Sequence, residues 1–256
     1  MKPLTIFSWG YWGWGSSAAQ FLKAADAVEA ARGYEPPVFV DIRIQRSVRA
    51  ANFCGDAFRK IVGEARYRWM PGLGNLAIRD RSLGRIVIKE PKEAETLLDL
   101  AIECQRGNRR VIFYCACEIP GACHRYEVGS LVLKAARRRD IPVELVEWPG
   151  GEPQGVRIGV PEGVLKKMKK GAQTLPLPPD ADVLKYAGFP WGSVVEITGD
   201  GERLCFISGP AIYKKGRWVL PVVFCPDWFE DPGEARQRAL KEYRSRGYAL
   251  RPGRGL

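Results

Sequence analysis

The chain has 256 residues, 46% of them hydrophobic and 27% charged, with a formal net charge of +11. That length suits one large domain or two smaller ones, and the composition is that of a soluble globular protein. No apolar run approaches the roughly 20 residues that span a bilayer. The opening MKPLTIFSWGYWGWG lacks an apolar stretch followed by a small-residue cleavage site, so the expectation is a cytoplasmic protein with no membrane partner.

In chain order, LTIFSW (4–9) reads as a short apolar strand followed by a Gly/Trp turn. Residues 17–33 carry apolar side chains at helical spacing and end on a glycine suited to a C-cap. PPVFVDIR (36–43) has the density of a buried parallel strand. A helix is expected over 55–65, a strand over 66–71, a turn at PGLGN and a helix over 92–107. RRVIFYCAC (109–117) is the strongest strand signal, and 123–140 reads as a helix whose basic last turn suits the helix dipole. IPVELVEW (141–148) closes the series as a strand.

Strands alternating with helices imply a mostly parallel sheet with helices on both faces, a three-layer Rossmann-like α/β domain over 1–150. Ligands of such sheets bind at the carboxyl ends of the strands. Four candidate loops converge there: the Trp-rich turn, the segment from Asp41 to Arg46, PGLG, and Cys117 to Arg125. EWPGGEPQG (147–155) reads as a linker. Beyond it, short strand-like runs broken at GDGE, SGP and KKGR have the texture of hairpins. A helix is expected over 231–247. We therefore expect a second, basic domain over 156–256, mainly antiparallel and barrel-like, with a C-terminal helix.

Seven cysteines is an odd number, and three of them fall within CACEIPGACHR (115–125). In a reducing compartment such a cluster points to reactivity or metal rather than to disulfides. Cys54, Cys104, Cys205 and Cys225 sit in apolar contexts and read as small core residues. Asparagine and glutamine total nine against 19 prolines, a balance that suggests a thermophilic source.

The 115–125 segment supports three readings. Cys115, Cys117, Cys123 and His124 supply four potential ligands suited to zinc or iron–sulfur. Against that, Cys115 is expected inside the sheet, and neighbours on a helix diverge by about 100°. The second reading is a reactive thiol in an anion cradle. A helix N-terminus lowers a thiol's pKa and binds anions, and Arg43, Arg46, Ser47 and Arg125 stand ready to grip a phosphate. Cys117, Glu118, Cys123, His124 and Asp41 are then the catalytic candidates, with His124 titrating nearest neutrality. The third reading is structural, with His124 capping the helix and Arg125 paired with Glu118 or Asp41. Trp9, Tyr11 and Trp12 crowd the first turn beside Trp14, where aromatic faces are able to stack on a base or ring.

With these residues in view, the first 150 positions resemble the family called domain of unknown function 488. TIFSWGYWGWGS, VDIRIQRS, YRWMPGLGN and CACEIPGACHR carry the likeness. The resemblance implies a compact α/β domain with Asp41, Arg43, Arg46, Ser47, Glu118, Cys123, His124 and Arg125 in one pocket, and it implies no reaction. The family's Gly-His near the start is replaced here by SWGYWG. The expectation is an enzyme, a hydrolase or group transferase without a cofactor, binding a nucleotide or nucleic acid. A non-catalytic nucleic-acid-binding protein and a Cys/His metal protein are the alternatives.

Overall fold

The computed structural model describes residues 3–12, 14–15, 18–117, 122–150, 155–160, 162–167, 171–177, 194–198, 202–207, 212–214, 217–224 and 249–250. The chain divides into two compact units, residues 1–148 with 246–256, and residues 149–245.

The first unit is built on strands β1 (Leu4–Gly10), β2 (Val38–Asp41), β3 (Tyr67–Trp69), β4 (Val111–Cys115) and β5 (Val143–Glu147). They lie in the order β5-β1-β4-β2-β3, and every pairing among them is parallel. A two-residue strand, Ala249–Leu250, adds to the β5 edge in antiparallel fashion. Four helices connect the strands: α1 (Ala18–Ala31), α2 (Ala57–Val62), α3 (Glu93–Arg106) and α4 (His124–Arg138). The elements expected in the first half of the sequence are therefore present, with β3 shorter than its aromatic run suggested. The reversal of strand order beside β4 puts the carboxyl ends of β1, β4 and β2 next to one another, the place where such sheets bind ligands.

Alternation along the strands sorts the core into two layers. Ile6, Val40, Val111, Phe113 and Cys115 pack with Leu97, Leu98 and Ala101 of α3 and Val128 and Val132 of α4. The opposite face is aromatic. Trp9 of β1 stacks on Phe21 of α1 with centroids 3.5 Å apart, and Phe39 of β2 meets Phe58 of α2 edge-on at 5.5 Å. These layers assign α3 and α4 to one face and α1 and α2 to the other. Continuous apolar strands such as VIFYC are what a sheet covered on both faces requires.

Two expectations are corrected here. Trp9 is buried beneath Phe21, and Trp14 is fully buried, so neither ring is open to a ligand. Cys54 is exposed, because the 3-10 turn Ala51–Phe53 turns Phe53 inward in its place, whereas Cys104 is buried as expected.

In the second unit, β6 (Gly155–Gly159), β7 (Gly171–Pro176), β8 (Val194–Thr198), β9 (Glu202–Ile207), β10 (Ile212–Lys214) and β11 (Arg217–Phe224) form one sheet. Its pairings are antiparallel except for β6 with β8. The hairpins expected around GDGE and KKGR appear as the β8–β9 and β10–β11 pairings. Among the described residues the strand path runs from β6 to β10 without closing. The helix expected over 231–247 and Cys225 lie outside the described residues. The expected second domain, 156–256, also differs at its end, since residues 246–256 group with the first unit.

Phe21 is the aromatic on which this second layer centres, touching Trp9, Trp14, Phe39 and Trp148. Phe21→Ala is expected to cost about 3–5 kcal/mol of stability, read from the shift of the urea unfolding midpoint.

Candidate metal centre

The site forms where β4 ends and α4 begins. Cys115 is the last residue of β4 and faces the α4 side of the sheet. Cys123 is the N-cap of α4, with extended backbone (φ −128°, ψ 151°), and its Sγ accepts the backbone N–H of Arg125 at 3.5 Å. It takes the place that Ser, Thr, Asp or Asn commonly fills. His124 is the first helical residue.

Because Cys123 stands outside the helix, the 100° divergence of helical neighbours does not apply to it. Its side chain and that of His124 converge on Cys115. The Cys115 and Cys123 sulfurs are 3.4 Å apart, and His124 Nδ1 lies 3.6 Å from Cys115 Sγ and 3.7 Å from Cys123 Sγ. All three residues are buried, and their ligand atoms lie within 4.8 Å of one another. Cys117 shares the strand-end face of Cys115, as i and i+2 residues do, with its Sγ 3.8 Å away. Unlike the other three it is exposed.

His124 Nε2 lies 3.2 Å from the Ile42 carbonyl oxygen just beyond β2. A carbonyl only accepts, so Nε2 carries the proton and Nδ1 presents its lone pair to the sulfurs in the neutral ring. A backbone carbonyl holding the far nitrogen is the arrangement that orients metal-ligating histidines.

The three thiols share their charge unequally. The hydrogen-bonding contacts with Cys115 and Cys117 hold the Cys123 thiol far below its ordinary range, and His124 and the Arg125 guanidinium act in the same direction against burial. The bond with Cys117 opposes the change at Cys115, but its bond with Cys123 and its burial push that thiol up to about 12. Cys117 is also raised, by its bonds to Cys115 and Cys123 and by burial. The lowered thiol is the one at the helix N-terminus, where the dipole favours a thiolate.

A buried polar lock fixes the segment. Arg125, fully buried, pairs with Glu147 of β5 and donates from Nη2 to the Cys117 carbonyl at 2.8 Å. Ser8 of β1 donates to the second oxygen of Glu147. A Cβ on Gly10 would lie 1.9 Å from the same Cys117 oxygen, so only glycine fits there. Neither Ser8 nor Glu147 was picked out from sequence. The signal was present, a polar residue inside each of two apolar strand runs.

The arginines expected to grip an anion are already engaged. Arg43 donates from Nε and Nη2 to Asp41, and from Nη1 to Tyr11 Oη and the Phe53 carbonyl. Tyr67 donates to the other side of this group, Oη to Asp41 Oδ2 at 2.9 Å. Asp41 is fully buried and, on the alternation of β2, belongs to the aromatic face, away from the cysteines. Arg46 pairs with Asp56 at 2.6 Å and lies 4.2 Å over the Trp69 ring. Arg125 pairs with Glu147, and Asp41 pairs with Arg43. Asp41 and Arg125 are therefore corrected from catalytic and anion-binding candidates to buried structural partners. Tyr11 is corrected likewise, its ring stacked on Phe53 at 4.0 Å. Trp12 is 65% exposed. Glu118 lies outside the described residues.

A cavity of about 320 Å³ opens beside the cluster. Cys115, Cys117, Cys123 and His124 form one wall, with Arg43 and Ser47 from the expected set. Ile44, Val48, Ile78 and Ile86 make the rest largely apolar, with Gln45 and Asn75 between them. Asp41, Arg46 and Arg125 do not line it. Ile78 and Ile86 come from the irregular stretch between β3 and α3, whose sequence carries no periodic signal.

Comparison of the chain with protein-family models, with curated proteins and with solved structures finds no match in any of the three. Among the described residues no helix is long and apolar enough to cross a membrane.

Two expectations follow. Gly10→Ala drives a Cβ into the Cys117 carbonyl and is expected to cost about 1–3 kcal/mol, measured by chemical denaturation. Burial and the neighbouring Asp41 push Tyr67 up to about 12, so the fold favours its neutral phenol. That contribution is complete below about pH 10 and is lost as pH rises through about 12. An ultraviolet titration of native Tyr67→Phe protein should lack one late-ionising phenol present in the parent.

Proposed function

We propose that this chain is a metalloprotein whose first unit holds a single thiophilic ion, zinc foremost, on Cys115, Cys123 and His124, with Cys117 as the fourth ligand. The observation that carries the reading is the spacing of the donor atoms. Zinc bonds of about 2.3 Å to sulfur and 2.0–2.1 Å to nitrogen put tetrahedral sulfurs ~3.8 Å apart, and sulfur and nitrogen ~3.6 Å apart. Among Cys115, Cys123 and His124 the separations are 3.4 Å between sulfurs and 3.6 and 3.7 Å from sulfur to nitrogen, and Cys117 Sγ lies 3.8 Å from Cys115 Sγ but outside the mutually close set of three. The carbonyl-held histidine and the Cys117 carbonyl lock are the outer support such a ligand set needs.

The spacing favours one ion over an iron–sulfur cluster, in which no iron takes more than two protein ligands, whereas three donors here stand within reach of a single ion. The nucleotide-gripping reading has less behind it, because Arg43, Arg46 and Arg125 each face a carboxylate. The resemblance of the first 150 residues to the domain of unknown function 488 implies one pocket for eight residues and no reaction, and of those eight the cavity is lined by Arg43, Ser47, Cys123 and His124.

Reduced, purified protein is expected to bind one zinc ion per chain. Cys115→Ser or His124→Ala should weaken binding more than about 100-fold in competition with a chromophoric chelator. Affinity should fall as pH drops, since the ligands must be deprotonated. A folded, fully reduced protein that takes up neither zinc nor cobalt overturns the proposal.

A further inference from the structure

Three of the four ligands are fixed by the fold, and the fourth is placed differently. Cys115 belongs to β4, Cys123 caps α4, and His124 is tied to the Ile42 carbonyl. They are 4%, 2% and 4% exposed. Cys117 lies past the end of the strand and is exposed, and its Sγ is not part of the mutually close set of three. Its backbone is held by Arg125, and its exposed side chain is among those lining the 320 Å³ cavity.

We infer that Cys117 is the exchangeable ligand of this centre, and that the cavity admits in its place a small uncharged thiol, whose sulfur takes the fourth position on the metal. The inference rests on the metal reading above. Three protein ligands with one open or openable position is the pattern of reactive rather than purely structural zinc sites.

The class of ligand follows from the lining. A volume of 320 Å³ is at the small end of ligand pockets. Ile44, Val48, Ile78 and Ile86 supply apolar contact, and Gln45, Ser47 and Asn75 supply neutral polar groups. Among the described lining residues the one guanidinium, that of Arg43, makes four hydrogen bonds inside the protein, two of them to Asp41. A carboxylate or phosphate on the ligand would therefore enter without a counter-ion, at a desolvation cost. A soft donor suits a site already built from thiolates.

The exchange balances without an oxidant. The metal–sulfur bond to Cys117 breaks and a bond to the incoming sulfur forms. The proton of the incoming thiol passes to the Cys117 sulfur. One thiolate replaces another, so the charge of the buried centre does not change.

The test uses the full chain loaded with cobalt(II), whose visible and thiolate charge-transfer absorption reports coordination. Titration with 1-propanethiol is expected to shift the spectrum saturably while dialysis shows cobalt retained. With 3-mercaptopropionate the midpoint should lie roughly tenfold or more higher. Cys117→Ser should bind 1-propanethiol roughly tenfold more tightly, because no protein thiolate is displaced. Cobalt bound with thiolate absorption that neither thiol alters, in parent and variant alike, overturns this inference and leaves the metal reading standing. Equal binding of the two thiols, or cobalt stripped instead of shifted, overturns it as well. Failure to bind cobalt at all overturns both.

Discussion

The pairing of Arg125 with Glu147 is the constraint on which the rest of the site depends. Both groups are buried, and placing an ion pair out of water is costly unless its remaining donors and acceptors are satisfied. Here the guanidinium also holds the Cys117 carbonyl, and the carboxylate also accepts from Ser8. One residue of α4 is thereby tied to β1, to β5 and to the chain leaving β4. That brings together the segments that carry Cys115, Cys117, Cys123 and His124, and it does so from beneath, with charges that do not open into the cavity.

The convergence of Cys115, Cys123 and His124 is a matter of helix boundaries. A cysteine one residue inside α4 would point about 100° away from His124. As N-cap, Cys123 has strand-like backbone, and its sulfur meets both the imidazole and the end of β4. The same position gives its sulfur the backbone N–H of Arg125 and the positive end of the helix. Capping, charge and ligand geometry are thus one arrangement. The strand order contributes the remainder, because β4 lies between β1 and β2 and so ends beside both Gly10 and Ile42.

Much of this frame was legible from residues. Runs such as VIFYC and the periodic helix of 92–107 carry strong local signals, and the strand ends were expected to share a rim. The convergence of Cys115, Cys123 and His124 is not legible for a local reason: CHR reads as three helical residues, when the first of them is the cap. The roles of Asp41, Arg43 and Arg125 were misread because sequence shows charge but not its partner. Asp41 and Arg43 are two residues apart and satisfy each other, while Glu147, the partner of Arg125, lies in a strand chosen for its apolar pattern. The cavity's apolar wall was illegible, since Ile78 and Ile86 come from the stretch of short 3-10 turns and loops between β3 and α3.

The short strand Ala249–Leu250 changes the architecture of the chain. It pairs with β5 and covers part of an edge that would otherwise offer open hydrogen-bonding groups to another chain. Residues 149–245 therefore stand in sequence between two pieces of the same unit, not after it. They form an insertion with two attachments to its host. A truncation after residue 148 would remove not only the inserted unit but also the cover of the host's sheet.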